Sequence, residues 1–542
     1  MATGNTPGSV KYKDIISKSL LVRPGSPAVY QLNPKKEEIG SLRRMTLGEK
    51  DQNKTNRAIL LVGETGTGKS TLINTLVNYT MGVKWEDDVW FQIVKEEKKR
   101  QSESQTSDVI VYQIFGFEGK TLPYSLTIID TPGYGATKGI ERDVIISERL
   151  LDWFRSANGV HEIHAVGLVL KATENRLDDR LMYIFDSVVS LFGKDMEQNI
   201  VALITHSSGT TYKNALEALE DANIKCAKDE NNQPVHFLFD NCQQENRTED
   251  MEEEFQLAFT KTSKGLKKFT DFLRETTPQQ LKTTVEVLNE RIRLTACIQN
   301  LKERIQLTEL KQREIQQTQE ALKKHEEEMK NDEKFTVEVD EVYKEKQTIR
   351  AGWWLGFFYE GATCCTVCEE NCHRTGCTIA PNPKSCEVMK DGRCTSCTRK
   401  CPVSAHVKEN WIYVTKTRKV KKTLQDVKKK YEKEKSDFES LLKNLTKEME
   451  ELEKGKDQML EETFQHVVNL EQIALKVDSV STHVHLDFLL AKMKEKGDTE
   501  KFQKLKAMKR RVEEDKGFIA ALQYSFSKLK SFGKTVKGAI PW

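Results

Sequence analysis

Residues 58–76 read AILLVGETGTGKSTLINTL, and this stretch decides the fold of the first part of the chain. The apolar run at 58–63 predicts a buried strand, and the amphipathic run from Thr71 onward predicts a helix. Between them, the GxxxxGK[ST] pattern supplies glycines that let backbone amides converge on phosphate oxygens at a helix N-terminus. The candidate phosphate-binding residues are Gly63, Glu64, Thr65, Gly66, Thr67, Gly68, Lys69, Ser70 and Thr71.

A second motif, Asp130-Thr-Pro-Gly133, directly follows the predicted strand 126–130. A carboxylate at the end of a strand can hold Mg²⁺ through water, and the glycine amide can sense a γ-phosphate. In this scheme Lys69 contacts the β- and γ-phosphates while Ser70 coordinates Mg²⁺. The two motifs together favour a GTPase that switches between nucleotide states over a general ATPase.

Thr106 precedes a predicted strand at 109–114 and is the candidate loop threonine that binds Mg²⁺ when triphosphate is present. An ordinary polar loop residue is the alternative. The candidate catalytic residues are Lys69, Thr106 and Gly133, and the candidate Mg²⁺ ligands are Ser70, Thr106 and Asp130.

The chain lacks one residue that Ras-like enzymes use for hydrolysis. Tyr134 follows Gly133 at the position where those enzymes carry a glutamine that orients the attacking water. We therefore expect GTP hydrolysis to be slow or to need a group supplied by a partner. Arg142 could reach a neighbouring copy, although an exposed arginine is more often simply solvated.

Six short apolar runs alternate with polar, helical stretches and predict an α/β domain at 55–276. Continuous β-branched runs of this kind indicate a mostly parallel sheet covered by helices. Residues 1–54 lack clear periodicity and predict a mostly irregular lead-in. The predicted strands are 58–63, 109–114, 126–130, 165–171, 200–206 and 235–239.

The second half of the chain has a helical texture. Residues 279–334 predict a long helix or coiled coil, and residues 416–456 predict a second one. In the latter, Leu424, Tyr431, Phe438, Leu445 and Leu452 recur every seven residues, as in a coiled-coil seam. The expected picture is a helical hairpin with a β-ribbon and cysteine-rich module, 335–415, at its far end. The two helices could pair within one chain or between chains.

Nine of the twelve cysteines lie between positions 364 and 401. The chain shows no signal-peptide pattern, so a reducing compartment and metal binding are the better interpretation, with disulfides or a redox cluster as alternatives. CxxCxxxC occurs twice, and paired CxxC knuckles suit tetrahedral zinc. We expect about two zinc ions, by the coordination rules for such knuckles. The candidate ligands are Cys365, Cys368, Cys372, Cys394, Cys397, Cys401 and His406. Cys377 and Cys386 lie nearby and could also complete the two sites.

The quoted motifs carry a family resemblance. GETGTGKSTLINTL and IDTPGYGATKGIERD resemble septins. HAVGLVLKATENRLDDRLMYIFDSVVSLFG followed by ITH resembles the immunity-associated (GIMAP/AIG-type) GTPases and the related chloroplast import receptors. The likeness covers residues 57–275 and implies GTP/GDP and Mg²⁺ as ligands, and self-association across the nucleotide face. In that group a histidine or arginine replaces the usual NKxD asparagine, and a later asparagine helps to hold guanine. The matching residues are His206 and Asn241.

Composition narrows the functional classes. The 542 residues carry 85 Lys+Arg and 82 Asp+Glu, a net charge of +3, so the chain lacks the basic excess of a nucleic-acid binder. No apolar stretch approaches the ~20 residues that cross a bilayer, and a cytoplasmic location is expected. The helical C-terminal region, 457–542, ends in a basic tail. Its amphipathic character fits either contact with a membrane surface or docking on its own domain.

Two functions follow. The first is a GTPase whose nucleotide state controls self-association or partner binding. The second is a GTP-binding scaffold with negligible hydrolysis, which acts on protein partners through its coiled coil and its zinc-binding module.

Overall fold

The computed structural model describes residues 10–39, 42–94, 109–131, 140–174, 177, 179–208, 212–325, 327, 336–349, 361–374, 382–423, 426, 438–476 and 480–514. The chain divides into two compact units. The first contains residues 1–288, 473–486 and 503–542, and the second contains residues 289–472 and 487–502.

The strands of the first unit follow from the apolar runs of the sequence, with several more that the sequence did not predict. They are β1 (Leu20–Arg23), β2 (Ala28–Gln31), β3 (Lys35–Ile39), β4 (Leu42–Leu47), β5 (Asn56–Gly63), β6 (Val89–Gln92), β7 (Ile110–Ile114), β8 (Ser125–Asp130), β9 (Glu162–Ile163), β10 (Ala165–Lys171), β11 (Ile200–Thr205), β12 (His236–Leu238) and β13 (Gln279–Gln280).

The helices of the first unit alternate with these strands. They are α1 (Lys13–Ser17), α2 (Lys69–Met81), α3 (Ile140–Arg155), α4 (Asp179–Val189), α5 (Tyr212–Asp221) and α6 (Glu252–Glu275).

Eight of the described strands form one sheet in the order β12-β11-β10-β5-β8-β7-β4-β3. All its pairs from β12 to β8 are parallel, and β4 also pairs parallel with β7. The pairs β7–β8 and β3–β4 are antiparallel. The predicted fold, an α/β domain with a mostly parallel sheet, is confirmed.

The expectation of an irregular lead-in at 1–54 is wrong for its described part. Strands β3 and β4 extend the central sheet, while β1 and β2 join β6 in a separate three-stranded sheet. Their sequences, KKEEI for β3 and LRRMTL for β4, are rich in charge. Charged edge strands lack the apolar runs by which buried strands are recognised, which explains why the pattern missed them.

Two asparagines attach helix α2 to strand β6. Asn78 accepts a hydrogen bond from the Phe91 N–H at 2.9 Å and donates one to the Phe91 carbonyl oxygen at 2.7 Å. Asn74 accepts from the N–H groups of Ile93 and Val94 at 2.9 and 3.1 Å. These buried polar contacts fix the helix that follows the phosphate-binding loop.

The second unit is built on long helices and short strands. Its helices, some of which begin or end in the first unit, are α7 (Lys282–Lys324), α8 (Phe438–Ile473), α9 (Val480–Lys496) and α10 (Thr499–Glu514). Its strands are β14 (Thr336–Thr348), β15 (Ala362–Cys365), β16 (Glu370–His373), β17 (Met389–Lys390), β18 (Arg393–Cys394), β19 (His406–Glu409) and β20 (Trp411–Thr423).

Helices α7 and α8 run antiparallel within one chain. His466 of α8 lies 2.7 Å from Glu290 of α7, and Gln312 contacts Glu453 nearer the middle of α8. Of the predicted seam, Leu445 is buried and Leu452 is half-buried, whereas Leu424 and Tyr431 fall outside the described residues.

The predicted coiled coil at 416–456 is wrong at its start. Residues up to Thr423 belong to β20, which pairs with β14 along thirteen residues. Opposite charges face each other across this ribbon, as where Glu341 accepts hydrogen bonds from Arg418 at 2.7 and 2.9 Å. Cross-strand ion pairs and β-branched side chains favour the extended form over a helix here.

The ribbon also moves the cysteine-rich module away from its expected place at the far end of the helices. Gln317 of α7 contacts Asp340 near the start of the ribbon, whereas the module contacts α7 near Asn300, which donates to the Ser396 carbonyl oxygen at 3.3 Å. A thirteen-residue ribbon spans about 44 Å at 3.4 Å per residue, so it can return along the helix. The module therefore packs on the side of α7.

Within the residues described here, none of the helices is both long enough and apolar enough to span a bilayer.

Candidate functional site

The phosphate-binding loop joins β5 to α2 with the geometry that its glycines permit. Gly66 and Gly68 have φ angles of 86° and 88°, in the left-handed region that favours glycine. At Gly63 a Cβ atom would lie 2.4 Å from the Val169 carbonyl oxygen, so a side chain has no room there. The loop thus needs these glycines for its shape.

Lys69 lies inside this loop. Its ammonium group donates to the carbonyl oxygens of Gly63 at 2.7 Å and Glu64 at 2.9 Å. Burial lowers the pKa of Lys69 to about 8, although the carboxylates of Asp130 and Glu64 act in the opposite direction. Because burial makes the charged form of Lys69 less stable, a nearby anion would stabilise that form strongly.

Asp130 ends β8 beside the loop. It is fully buried and pairs in register with Leu61 of β5, two residues before the loop begins. The next residue, Thr131, donates its hydroxyl hydrogen to the Leu61 carbonyl oxygen at 2.9 Å. Ser70 is the second residue of α2. The sheet therefore brings two of the three predicted Mg²⁺ ligands, Ser70 and Asp130, to the same edge.

Thr205 and His206 follow the end of a neighbouring strand. The Thr205 hydroxyl donates to the Thr67 carbonyl oxygen at 2.7 Å, which attaches the loop to β11. His206 adopts a φ of 51°, and a Cβ atom built at Gly68 would lie 3.6 Å from its ring. Burial, together with the charge of Lys171, lowers the pKa of His206. A neutral imidazole therefore lies beside the phosphate-binding loop.

Asp240 and Asn241 follow β12, the edge strand. Both amide atoms of Asn241 are buried, and neither has a hydrogen-bond partner in the part of the chain that the structure describes. Asp240 is close enough to His206 to oppose the lowering of its pKa. A buried amide without partners costs about 1–3 kcal/mol, which a bound ligand could recover.

Sequence reasoning selected His206 and Asn241 but assigned no role to Asp240 or Thr205. Both stand at the carboxyl ends of strands, where ligands bind in open α/β sheets, and that position was the available signal. Two other predicted residues, Thr106 and Gly133, lie outside the described residues, as does the side chain of Arg142.

The cysteine-rich module brings all seven predicted zinc ligands together in two groups. Within each group the ligand atoms lie within 4.8 Å of one another. The first group is Cys365, Cys368, Cys397 and Cys401, and the second is Cys372, Cys394, Cys397 and His406.

The sulfur geometry of the first group fits a metal and not a disulfide. Cys368 Sγ and Cys401 Sγ are 3.7 Å apart. A disulfide would require about 2.05 Å, whereas two thiolates on one tetrahedral zinc, each at about 2.3 Å, lie about 3.8 Å apart. All eleven cysteines that the structure describes are free thiols.

His406 is oriented as a ligand in the second group. Its Nδ1 lies 2.9 Å from the Pro402 carbonyl oxygen, to which it donates in the tautomer that leaves Nε2 unprotonated. Nε2 is buried and has no hydrogen-bond partner among the described residues. A ligating histidine usually donates its other ring N–H to such a carbonyl, so the residues present fit zinc.

Backbone amides complete the environment of the sulfurs. The Cys368 N–H donates to Cys365 Sγ at 3.3 Å, and the Cys397 N–H donates to Cys394 Sγ at the same distance. Hydrogen bonds from neighbouring thiols lower the pKa values of Cys394 and Cys397. Hydrogen bonds among the same thiols raise the pKa values of Cys368 and Cys372, so the thiolate form, which binds metal, is favoured at Cys394 and Cys397.

A third group was not predicted. His373 Nδ1 lies 3.3 Å from Cys386 Sγ and 3.4 Å from a carboxylate oxygen of Glu387. His373 and Cys386 stand near the CxxC knuckles in the sequence, and Cys386 was considered there only as a ligand that could complete one of the two sites; no ligand spacing predicts a separate group with Glu387.

Comparisons with known proteins agree with the phosphate-site motifs. Residues 53–143 match the septin family model. No curated protein sequence matches the chain.

Solved structures with some likeness include Toc33 of Arabidopsis thaliana in complex with Mg²⁺ and GMPPNP. It is 17% identical, with 42% of this chain and 88% of that chain covered and a TM-score of 0.30. A structure of the chloroplast translocon components atToc33 and psToc159, for which dimerization is important for GTPase activity, is 16% identical. It covers 42% of this chain and 86% of that chain, with a TM-score of 0.31. LeoA, a bacterial dynamin GTPase from ETEC, is 14% identical, with 51% and 47% covered and a TM-score of 0.24.

The glycine-dependent loop, Lys69 within it and Asp130 at the neighbouring strand end lie in or beside the segment that matches this family model. This part of the chain is an α/β domain with a P-loop, and its residues 53–143 are similar to septins.

Proposed function

We propose that the chain binds GTP and GDP with Mg²⁺ and is a GTPase with slow or dimer-assisted turnover. The observation that carries the choice of guanine is the buried Asn241 amide without partners, next to Asp240 and on the same sheet edge as His206.

The phosphate end of the proposal rests on Lys69. In the ligand-free site its ammonium group satisfies the carbonyl oxygens of Gly63 and Glu64. A nucleotide would offer it phosphate oxygens in place of these neutral acceptors, and hydrogen bonds between charged groups are stronger. Ser70 and Asp130 would hold Mg²⁺, which neutralises phosphate charge when bound. Thr106 stays a predicted third ligand.

The proposed preference for guanine rests on the match between its hydrogen-bonding edge and the side chains of Asp240 and Asn241. Guanine presents N1–H and N2–H donors on one edge, and a carboxylate such as Asp240 accepts both. Its O6 is an acceptor that an amide N–H such as that of Asn241 can meet. Adenine presents the opposite arrangement at the same positions, so it would leave the carboxylate and the amide poorly paired. His206 would pack beside the base, as an uncharged ring.

The site has fewer of the residues needed for GTP hydrolysis than of those needed for nucleotide binding. Tyr134 stands where a water-orienting glutamine would be, so we propose that hydrolysis is slow in the monomer. A second copy would supply the missing group, with the nucleotide state controlling self-association.

For the second unit we propose that the cysteine-rich module binds zinc through its two groups of ligands. Its buried cluster consists mainly of cysteines, so metal would replace an apolar core. The module would then serve as a rigid surface for protein partners.

One specific observation favours a second function. Because the catalytic glutamine is missing, GTP could be a slowly exchanged ligand of a scaffold that acts through its helices and its zinc-binding module.

Hydrolysis measured on the purified full chain tests the proposal. GTP and ATP turnover would be followed across a range of protein concentrations for wild type and for Lys69→Ala, with the exposed Lys54→Ala as control. Turnover specific to GTP that rises per molecule with concentration supports the dimer-assisted GTPase. Tight GTP binding with flat, negligible turnover supports the scaffold. GTP binding that is as tight in Lys69→Ala as in wild type contradicts both.

A further inference from the structure

The two ligand groups of the module contain seven donors where two separate tetrahedral sites need eight. The count falls short because Cys397 belongs to both groups. Within the described part of the chain, no further histidine, cysteine or carboxylate joins either group.

Cys397 lies at the centre of the arrangement. Its side chain is fully buried, and its sulfur lies within 4.8 Å of the ligand atoms of Cys365 and Cys368 in the first group and of Cys372 in the second. The Cys401 N–H donates to the same sulfur at 3.3 Å. A sulfur in contact with members of both groups is positioned between them.

Separate sites would leave one group incomplete. If Cys397 served only the second group, the first would keep three thiols, Cys365, Cys368 and Cys401, with no fourth ligand from the described residues. A structural zinc site closes its fourth position with protein. Sharing one thiolate gives both metals four protein ligands.

We propose that Cys397 is a bridging thiolate and that six cysteines with His406 hold two zinc ions in one binuclear cluster. This inference rests on the zinc-binding part of the proposed function and assigns the ligand pairing within it. The first zinc has four sulfur ligands, and the second has three sulfurs and one imidazole nitrogen.

The bridge has a measurable consequence for the distance between the metals. Two zinc ions bound to one sulfur, each at about 2.3 Å, cannot be more than about 4.6 Å apart. It also couples the two sites, because loss of Cys397 removes a ligand from both metals. Loss of Cys365 or Cys372 removes a ligand from one metal only.

X-ray absorption at the zinc edge of the full-length wild-type protein tests the bridge without any substitution. We expect a metal–metal scattering shell within about 4.6 Å. Zinc bound without such a shell overturns the bridge and leaves zinc binding itself intact. Absence of bound zinc overturns both, so the two failures are distinguishable.

Metal counting by native mass spectrometry then identifies the bridging residue. We expect Cys397→Ala to lose two ions relative to wild type, and the matched variants Cys365→Ala and Cys372→Ala to lose one each. An ion held by His373, Cys386 and Glu387 would be present in all these proteins and would cancel in the comparison. Loss of a single ion from Cys397→Ala overturns the assignment.

Discussion

The G domain and the cysteine-rich module bury different kinds of side chain in their interiors. The buried core of the G domain is formed by large aliphatic and aromatic side chains such as Ile59, Leu76 and Phe269. The corresponding cluster of the module consists mainly of cysteines, with Val388 and Ala296 as its apolar members.

This difference predicts different roles for the two ligands. A domain with a complete apolar core can fold around a vacant site, so nucleotide adds to a structure that is already stable. A module whose core is made of thiols has little apolar burial to offset its conformational entropy, so metal binding is part of its folding. We therefore expect nucleotide to bind a domain that is already folded, and we expect the module to need its metal in order to fold.

Metal removal should give the largest effect. Structural zinc contributes about 10–16 kcal/mol of apparent binding free energy, so a strong chelator should unfold the module while the G domain stays folded. Hydrogen exchange of the full chain checks this: amides at 362–373 and 393–409 should lose protection, and those of β5 and β10 should keep it. Unchanged protection in the module would show that it folds without metal, which would contradict the contrast drawn with the G domain.

Lys69→Ala should have the next largest effect, confined to the nucleotide. Removing the ammonium group should weaken GTP binding by about 10²–10³-fold, since loss of one partner of a buried charge pair costs roughly 2–5 kcal/mol. Titration calorimetry measures the affinity, with Lys54→Ala as a matched control that should bind normally. A Lys69→Ala protein that is unfolded would show that the G domain depends on this side chain more than its apolar core suggests.

Asn74→Ala tests how much the buried hydrogen bonds of Asn74 contribute to the stability of the G domain. It leaves the buried N–H groups of Ile93 and Val94 without their acceptor, at a cost of about 1–3 kcal/mol each. Thermal unfolding should show a lower Tm, whereas the exposed Asn53→Ala should leave it unchanged. An unchanged Tm in Asn74→Ala would mean that water replaces the lost acceptor.

The smallest effect should be the pH dependence from Lys69, whose pKa burial lowers to about 8 in the ligand-free site. Phosphate favours the protonated form, so binding takes up a proton above pH 8 and affinity should fall roughly fivefold from pH 8 to 9. Stability of the ligand-free domain has the opposite sign. The unfolded chain keeps this proton up to the ordinary value of 10.5, so Lys69 adds stability as pH rises from 8 to 10.5.

Calorimetry between pH 7 and 9.5 checks this dependence. The Lys69→Ala variant is the control, because its weaker binding should lack the fall above pH 8. A wild-type affinity that is flat across this range would show that Lys69 keeps its proton in the ligand-free site.

Local signals in the sequence were sufficient for much of the G domain. The strand 165–171 was predicted with its observed bounds, Ala165–Lys171, because the uninterrupted apolar run AVGLVL is typical of a buried strand. The phosphate-binding loop was equally clear, since the two glycines of GxxxxGK[ST] are both needed: Gly68 has a φ of 88°, and Gly63 has no room for a side chain.

The features that were missed depend on partners distant in the chain. Strands β3 and β4 are charged; β4 pairs with β7 and β3 pairs with β4, which no local pattern reveals. Asn74 and Asn78 look like ordinary polar helix residues until β6 is placed beside them.

In the second unit, all seven zinc candidates came from spacing alone, and their geometry now groups them. The sequence could not place the module along α7, because its position depends on the direction in which the ribbon β14–β20 returns. The same ribbon explains why residues 416–423, predicted as the start of a coiled coil, form a strand.

The most direct test of the account is the affinity of the wild-type protein for GTP and for ATP, measured by calorimetry with Mg²⁺ under identical conditions. The account predicts that GTP binds at least tenfold more tightly, a difference of about 1.4 kcal/mol, and that Asp240→Ala and Asn241→Ala each reduce this preference. Equal affinity for the two nucleotides, or a preference for ATP, would contradict the assignment of guanine to this site.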